Sequence, residues 1–286
     1  MKAQPEGSAV KKFNTCIRSI VSAVVMLIVT FATLAATGCK SHHGQVLRVG
    51  ITPGPAEEIL HSVEPGLAQQ GIEIKIVHFS DYIQPDMALA SGDLDANLYQ
   101  NVAFLDQFNR DHQTHFVALS RVYLPLMAIY PGHAKTLTAL TNGARIAIPN
   151  DPVNHDRALL LLERAGLLQL VHDASSNAVH ITANPRQLNL VELDAAQLPR
   201  SLDDVDAAVI NANFALDAGL NPHTGSLLSE TRESPYANVL SVNGGAHKDA
   251  RIDALAKALT SPETRSFITD HYAGAVYPAE YSSDAR

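Results

Sequence analysis

Ala144-Arg145-Ile146-Ala147-Ile148-Pro149-Asn150-Asp151-Pro152 is a short apolar run that ends in a turn, and helical composition follows over 154–165, closed by Gly166. The apolar run suits a buried strand and Asp151 suits a helix cap. Pro152 suits the first helical position, where no backbone N–H is needed. The segment therefore reads as strand, turn and helix. The same unit stands earlier as Leu47-Arg48-Val49-Gly50-Ile51, then Pro53-Gly54-Pro55, then helical composition over 56–68 with Gly71 as its stop. A second pair keeps the same order. Gly92-Asp93-Leu94-Asp95-Ala96-Asn97-Leu98-Tyr99-Gln100 and Asp203-Asp204-Val205-Asp206-Ala207-Ala208-Val209-Ile210-Asn211 each set an acidic turn before a short apolar strand. Behind them come helices holding Phe104-Leu105 and Phe214-Ala215-Leu216. Two matched pairs in one order predict two similar α/β lobes rather than one continuous barrel.

Strands that alternate with helices predict mainly parallel sheets flanked by helices, with ligand sites beyond the carboxyl ends of the strands. The turns fall there, so Pro53-Gly54, Gln100-Asn101, Asn150-Asp151 and Asn211 are expected to line facing edges of a cleft between the lobes. Apolar stretches at 122–130 and 238–242 are assigned as the strands that cross between lobes. The expected organisation is lobe 1 from 46–124 and 240–286, and lobe 2 from 125–239.

The chain has 286 residues, 46% of them hydrophobic, enough to bury a large core. Its first residues read as an export signal: Lys2, Lys11, Lys12 and Arg18 precede an apolar run over 20–36, and Ala36-Thr37-Gly38-Cys39 follows. That tetrapeptide resembles a lipobox, in which the cysteine is lipidated and becomes the new N-terminus. Residues 1–38 are then a signal peptide, Cys39 the lipid-bearing residue and 39–45 a tether. An uncleaved membrane anchor is the competing reading, although the run is near the short limit of about 17 residues for a spanning helix. Residues 1–38 carry a net charge of +3, so their removal takes the formal charge from −8 to −11. So acidic a body argues against nucleic-acid binding. Cys16 would leave with the signal, so no disulfide is expected. The 13 histidines, the pair His42-His43 included, lack the spacing of a metal site, and no metal or other cofactor is expected.

The richest local signal is Asn150-Asp151-Pro152-Val153-Asn154-His155-Asp156-Arg157. Asn154 and Arg157 share one helix face, the helix start attracts an anion, and Arg157 offers a fork to a carboxylate. The same residues also fit a capped surface helix with a solvated arginine. Asn211 and Asn238 can each accept from an ammonium or donate to a carboxylate, or serve as turn residues. Tyr82, Tyr99 and Phe104 suit an aromatic wall for an apolar or thioether side chain, or ordinary core packing. No serine-hydrolase elbow, phosphate loop, zinc-protease or Cys-x-x-Cys motif is present, and the chain does not read as an enzyme.

Phe79-Ser80-Asp81-Tyr82, Gly92 to Asn97, Ile148 to Pro152, Arg157-Ala158-Leu159-Leu160-Leu161-Leu162, Gln197 to Asp204, Ala208-Val209-Ile210-Asn211 and Ser234-Pro235-Tyr236-Ala237-Asn238 together resemble the methionine-binding lipoproteins of the NlpA family. The resemblance covers nearly the whole mature chain. It implies a type II-like, two-lobed periplasmic-binding-protein fold that closes on free methionine and delivers it to an ABC permease and its ATPase, with a monomer tethered to the membrane by its lipid. It implies that Asn154, Arg157, Asn211 and Asn238 hold the charged ends of the amino acid, with Tyr82, Tyr99 and Phe104 as its cage. Departures cluster at that cage. Gln100-Asn101-Val102-Ala103-Phe104 stands where the family usually has Gln-His-x-Pro-Tyr, Ala56 stands where a histidine is common, and Tyr123-Leu124-Pro125 where His-Leu-Glu is frequent. Polar contacts to the far end of the ligand are thereby thinned, and another apolar amino acid or a short peptide is the rival guest. An enzyme on a similar two-lobed fold is the rival from another class.

Overall fold

The computed structural model describes residues 45–172 and 179–280. The signal peptide, Cys39 and the tether up to residue 44 lie outside the described residues. In chain order the strands are β1 (Gln45–Ile51), β2 (Ile72–His78), β3 (Ala96–Asn97), β4 (Phe116–Pro125), β5 (Ala128–Pro131), β6 (Arg145–Pro149) and β7 (Gln169–His172). They continue as β8 (Val179–Ala183), β9 (Asn189–Leu193), β10 (Ala207–Ile210), β11 (Leu228–Ser229), β12 (Asn238–Asn243) and β13 (Val276–Pro278). The α-helices are α1 (Pro55–Ala68), α2 (Gln84–Ser91), α3 (Val102–His112), α4 (Pro152–Arg164), α5 (Leu198–Ser201), α6 (Ala212–Asp217), α7 (Ala250–Leu259) and α8 (Pro262–Tyr272).

Two sheets carry the fold. The six-stranded sheet has the order β13-β4-β12-β3-β1-β2 and the five-stranded sheet the order β11-β5-β10-β6-β9. The internal repeat is visible in both. β1 lies parallel between β2 and β3, and β6 lies parallel between β9 and β10. The expectation of mainly parallel sheets holds for these three-strand cores and needs correction beyond them, because β12, β4 and β13 in one sheet, and β5 and β11 in the other, join antiparallel. The cause is the chain path. β5 and β12 each arrive from the other sheet with no crossover helix to turn them round, so each pairs antiparallel at the edge of its core. The crossings fall at 126–127, between β4 and β5, and at 230–237, between β11 and β12.

Alternation along β1 explains its two faces. Leu47, Val49 and Ile51 point into a core shared with Ile59, Leu60, Val63 and Leu67 of α1 and with Ile252, Leu255 and Leu259 of α7. The α1 residues recur at helical spacing and form one apolar stripe, each fully buried aliphatic contributing about 1.5–3 kcal/mol. On the other face Arg48 holds Asp95 through its backbone N at 2.8 Å and its Nε at 3.0 Å, which ties β1 to the turn before β3. Gly50 lies on that same face, and a Cβ there would sit 2.3 Å from Asn97 Oδ1 and 2.5 Å from Leu94 Cδ1. The glycine is therefore required by close approach. Gly50→Ala is expected to destabilise the protein by about 1–3 kcal/mol, as overpacking does. Urea unfolding checks this, and an unchanged midpoint contradicts it.

Candidate functional site

The sequence-predicted residues converge on one cavity. Tyr82, Tyr99, Asn101, Phe104, Asn154, Arg157, Asn211 and Asn238 all line it, together with Gln100, Pro125, Ala212 and Asn213, around about 340 Å³ of empty space. The lining comes from the segments that follow β2, β3, β6 and β10, and from Pro125 and Asn238 at the strand ends that flank the two crossings, as strand-end geometry requires.

At the start of α4, Asp151 caps the helix by accepting from Asn154 N at 2.9 Å. Asn154 Nδ2 in turn donates to both Asp151 oxygens at 3.0 Å, and Asn154 Oδ1 accepts from Asn211 Nδ2 at 2.8 Å. This relay orients Asn211, whose Oδ1 is buried with no hydrogen-bond partner among the described residues. Burial raises the Asp151 pKa above its usual value, with the bonds from Asn154 opposing. The expected open anion site at this helix start therefore needs correction. A carboxylate of the chain already occupies it, and what remains for an anion is Arg157.

Arg157 is only 3% exposed. Its Nε donates to Glu230 Oε1 at 2.7 Å and its Nη2 to Glu230 Oε2 at 2.5 Å, and Nη2 also donates to the Pro125 carbonyl at 2.9 Å. Its Cζ lies 4.5 Å from the centre of the Tyr236 ring. Nη1 makes no hydrogen bond among the described residues. Burial works against the charge, but the Glu230 carboxylate outweighs it and the Arg157 pKa is raised. The side chain is thus a permanently charged group with one nitrogen unspent.

Asn238 and Asn101 face each other in an isolated antiparallel bridge. Asn238 Nδ2 donates to the Tyr99 carbonyl at 2.7 Å and to Tyr123 Oη at 3.0 Å, while Asn101 Oδ1 caps α3 by accepting from Phe104 N at 3.0 Å. The other amide atom of each makes no hydrogen bond among the described residues. Tyr82, Tyr99 and Phe104 form a ring cluster with centroids 5.8–6.2 Å apart, and Phe214 closes on Tyr82 at 5.2 Å. Both tyrosine hydroxyls are committed: Tyr82 Oη donates to Asn213 Oδ1 at 2.6 Å, and Tyr99 Oη to the Tyr82 carbonyl at 2.7 Å. Burial raises both phenol pKa values, so the wall is neutral.

Asn213, Glu230 and Phe214 were not among the candidates. Asn213 carried a usable signal, because it opens the helix after β10 two residues past Asn211. Glu230 carried none, lying 73 residues from Arg157 in an irregular crossing. Among the described residues no group of histidine, cysteine and carboxylate side chains could hold a metal, and no helix is long and apolar enough to cross a membrane.

A two-lobed α/β fold with such a cavity at the strand ends defines a substrate-binding protein. The family described as NlpA lipoprotein matches residues 47–280, and the chain belongs to it. It is 37% identical to the D-methionine-binding lipoprotein MetQ of Escherichia coli (strain K12) over 226 residues, 76% of this chain and 83% of the relative. It is 34% identical to the membrane lipoprotein TpN32 of Treponema pallidum (strain Nichols) over 256 residues, 89% of this chain and 96% of the relative. A solved nutrient-binding protein from Burkholderia cenocepacia, bound to methionine, superposes with a TM-score of 0.78 at 39% identity, covering 82% of this chain and all of that one.

Behind the cavity Asp86 is fully buried, and its Oδ1 accepts from Asn97 Nδ2 and Gln100 Nε2, both at 2.9 Å. Asp86 Oδ2, Asn97 Oδ1 and Gln100 Oε1 lack partners among the described residues, so a proton on Asp86 supplies a donor that the cluster lacks. Burial raises the Asp86 pKa from 3.8 to about 6. The folded state therefore binds this proton more tightly than the unfolded chain, and the associated stability is present at low pH and lost as pH rises through about 6. Asp86→Asn is expected to gain stability relative to wild type between pH 4 and 7, read as a rising difference in urea midpoint. Parallel pH profiles contradict it.

Proposed function

We propose that this protein is an extracytoplasmic binding protein that captures free methionine, or an amino acid with a similar apolar side chain, and passes it to an ABC importer. One observation carries the reading: unspent donors, unspent acceptors and aromatic faces line the same cavity. Donors alone would suit an anion and rings alone a hydrocarbon. Their combination suits a zwitterion with an apolar tail. The relatives, one named for binding D-methionine and one solved with methionine bound, support the same guest.

In this reading Arg157 Nη1 and Asn101 Nδ2 donate to the carboxylate, and Asn211 Oδ1 and Asn238 Oδ1 accept from the ammonium. Asn154 fixes Asn211. Tyr82, Tyr99 and Phe104 pack the side chain, where a thioether sulfur gains from ring contact. Binding requires no covalent step. Residues 1–38 are removed, Cys39 is lipidated and 39–45 tether a monomeric body facing the periplasm or cell exterior. A permease and its ATPase take the ligand onward.

Calorimetry with L- and D-methionine on Arg157→Ala tests this. Removing one member of a buried charged contact costs about 2–5 kcal/mol, so affinity for the preferred enantiomer falls by at least about thirtyfold. Unchanged affinity removes Arg157 from the site.

A further inference from the structure

We infer that Asn213 is the latch that holds the two lobes together over the cavity, a positioning residue whose hydrogen bonds set how long a ligand is retained. Asn213 belongs to α6, on the side of the five-stranded sheet, and among the described residues both hydrogen-bond partners of its side chain belong to the other lobe. Its Oδ1 accepts from Tyr82 Oη at 2.6 Å, and its Nδ2 donates to Thr52 Oγ1 at 3.3 Å. Both amide atoms are thus spent across the cleft, whereas Asn211, two residues earlier, keeps its Oδ1 unspent.

The backbone confirms how tightly the lobes meet at this point. Gly54, in the turn after β1, has φ +111°, and a Cβ there would lie 2.8 Å from Asn213 Cα and 3.0 Å from its carbonyl oxygen. The next residue, Phe214, brings its ring to 5.2 Å from that of Tyr82. Thr52 and Asn213 are 3% and 8% exposed, so these bonds are shielded from competing water. Bonds that exist only when the lobes touch stabilise the closed form alone, and a ligand enclosed by that form leaves only when it opens.

The ligand part of this inference rests on the methionine reading, but the latch does not, and Thr52 and Gly54 lie outside the cavity lining. The test uses the mature protein with Thr52→Val, a nearly isosteric change, Asn213→Ala and the pair. Small-angle scattering without ligand is expected to give a larger radius of gyration for each variant than for wild type, with saturating L-methionine restoring the wild-type value. Stopped-flow release of L-methionine is expected to quicken by about three- to tenfold in Thr52→Val, as loss of one net hydrogen bond implies. Association should stay within about twofold. The double variant should be no worse than Asn213→Ala alone, because both substitutions break the same bond. Gly54→Ala, which wedges the contact, should open the ligand-free protein as well. Wild-type radius and wild-type release in both Thr52→Val and Asn213→Ala overturn the latch. A wild-type protein that binds neither enantiomer of methionine overturns the functional reading instead, and the ligand-free radii still decide on Asn213.

Discussion

The buried ion pair of Arg157 and Glu230 is the constraint on which the rest of the site depends. Arg157 rises from α4, beside the five-stranded sheet, and Glu230 opens the second crossing. Nη2 also reaches the Pro125 carbonyl at the end of β4, and Met127 N, inside the first crossing, donates to Glu230 Oε2 at 2.9 Å. One guanidinium and one carboxylate therefore join both crossings between the lobes. A pair so buried is weak evidence for stability, because desolvating two charges offsets much of their attraction, yet losing either partner strands the other. Its value is geometric. Glu230 fixes the fork so that Nη1 alone makes no hydrogen bond among the described residues.

Around that nitrogen the cavity is built from amides used economically. Asn154 spends its Nδ2 on the cap of α4 and its Oδ1 on Asn211, which leaves Asn211 one acceptor. Asn238 spends its nitrogen on Tyr99 and Tyr123, and Asn101 spends its oxygen on the start of α3. Asn211, Asn238 and Asn101 each do structural work with one amide atom and keep the other. Neutral groups held this way suit a zwitterion, since they meet its ammonium and its carboxylate without a further buried charge to desolvate.

Much of this was legible in the residues. Asp151-Pro152 announced the start of α4 and the spacing of Asn154 and Arg157 placed both on one face, because helix capping and periodicity are local physics. The paired strand-turn-helix units announced two lobes for the same reason. The antiparallel pairings were not legible, since they depend on which strands become neighbours across a sheet rather than on local pattern. The occupied helix start was misread: Asp151 was recognised as a cap, but its carboxylate closes the anion site that the cap seemed to open. Glu230 stayed invisible because a glutamate in an irregular segment carries no sign of a partner 73 residues away. All eight candidate residues nevertheless line one cavity, because strand ends of a parallel core converge wherever the sequence between them varies.

A crystal structure of the protein grown with methionine tests the central claim most directly. The account predicts the ligand carboxylate about 3 Å from Arg157 Nη1, a hydrogen-bond distance, with the two bonds from the guanidinium to Glu230 still in place. A carboxylate bound elsewhere, or an Arg157 side chain that abandons Glu230 to reach it, would contradict the account.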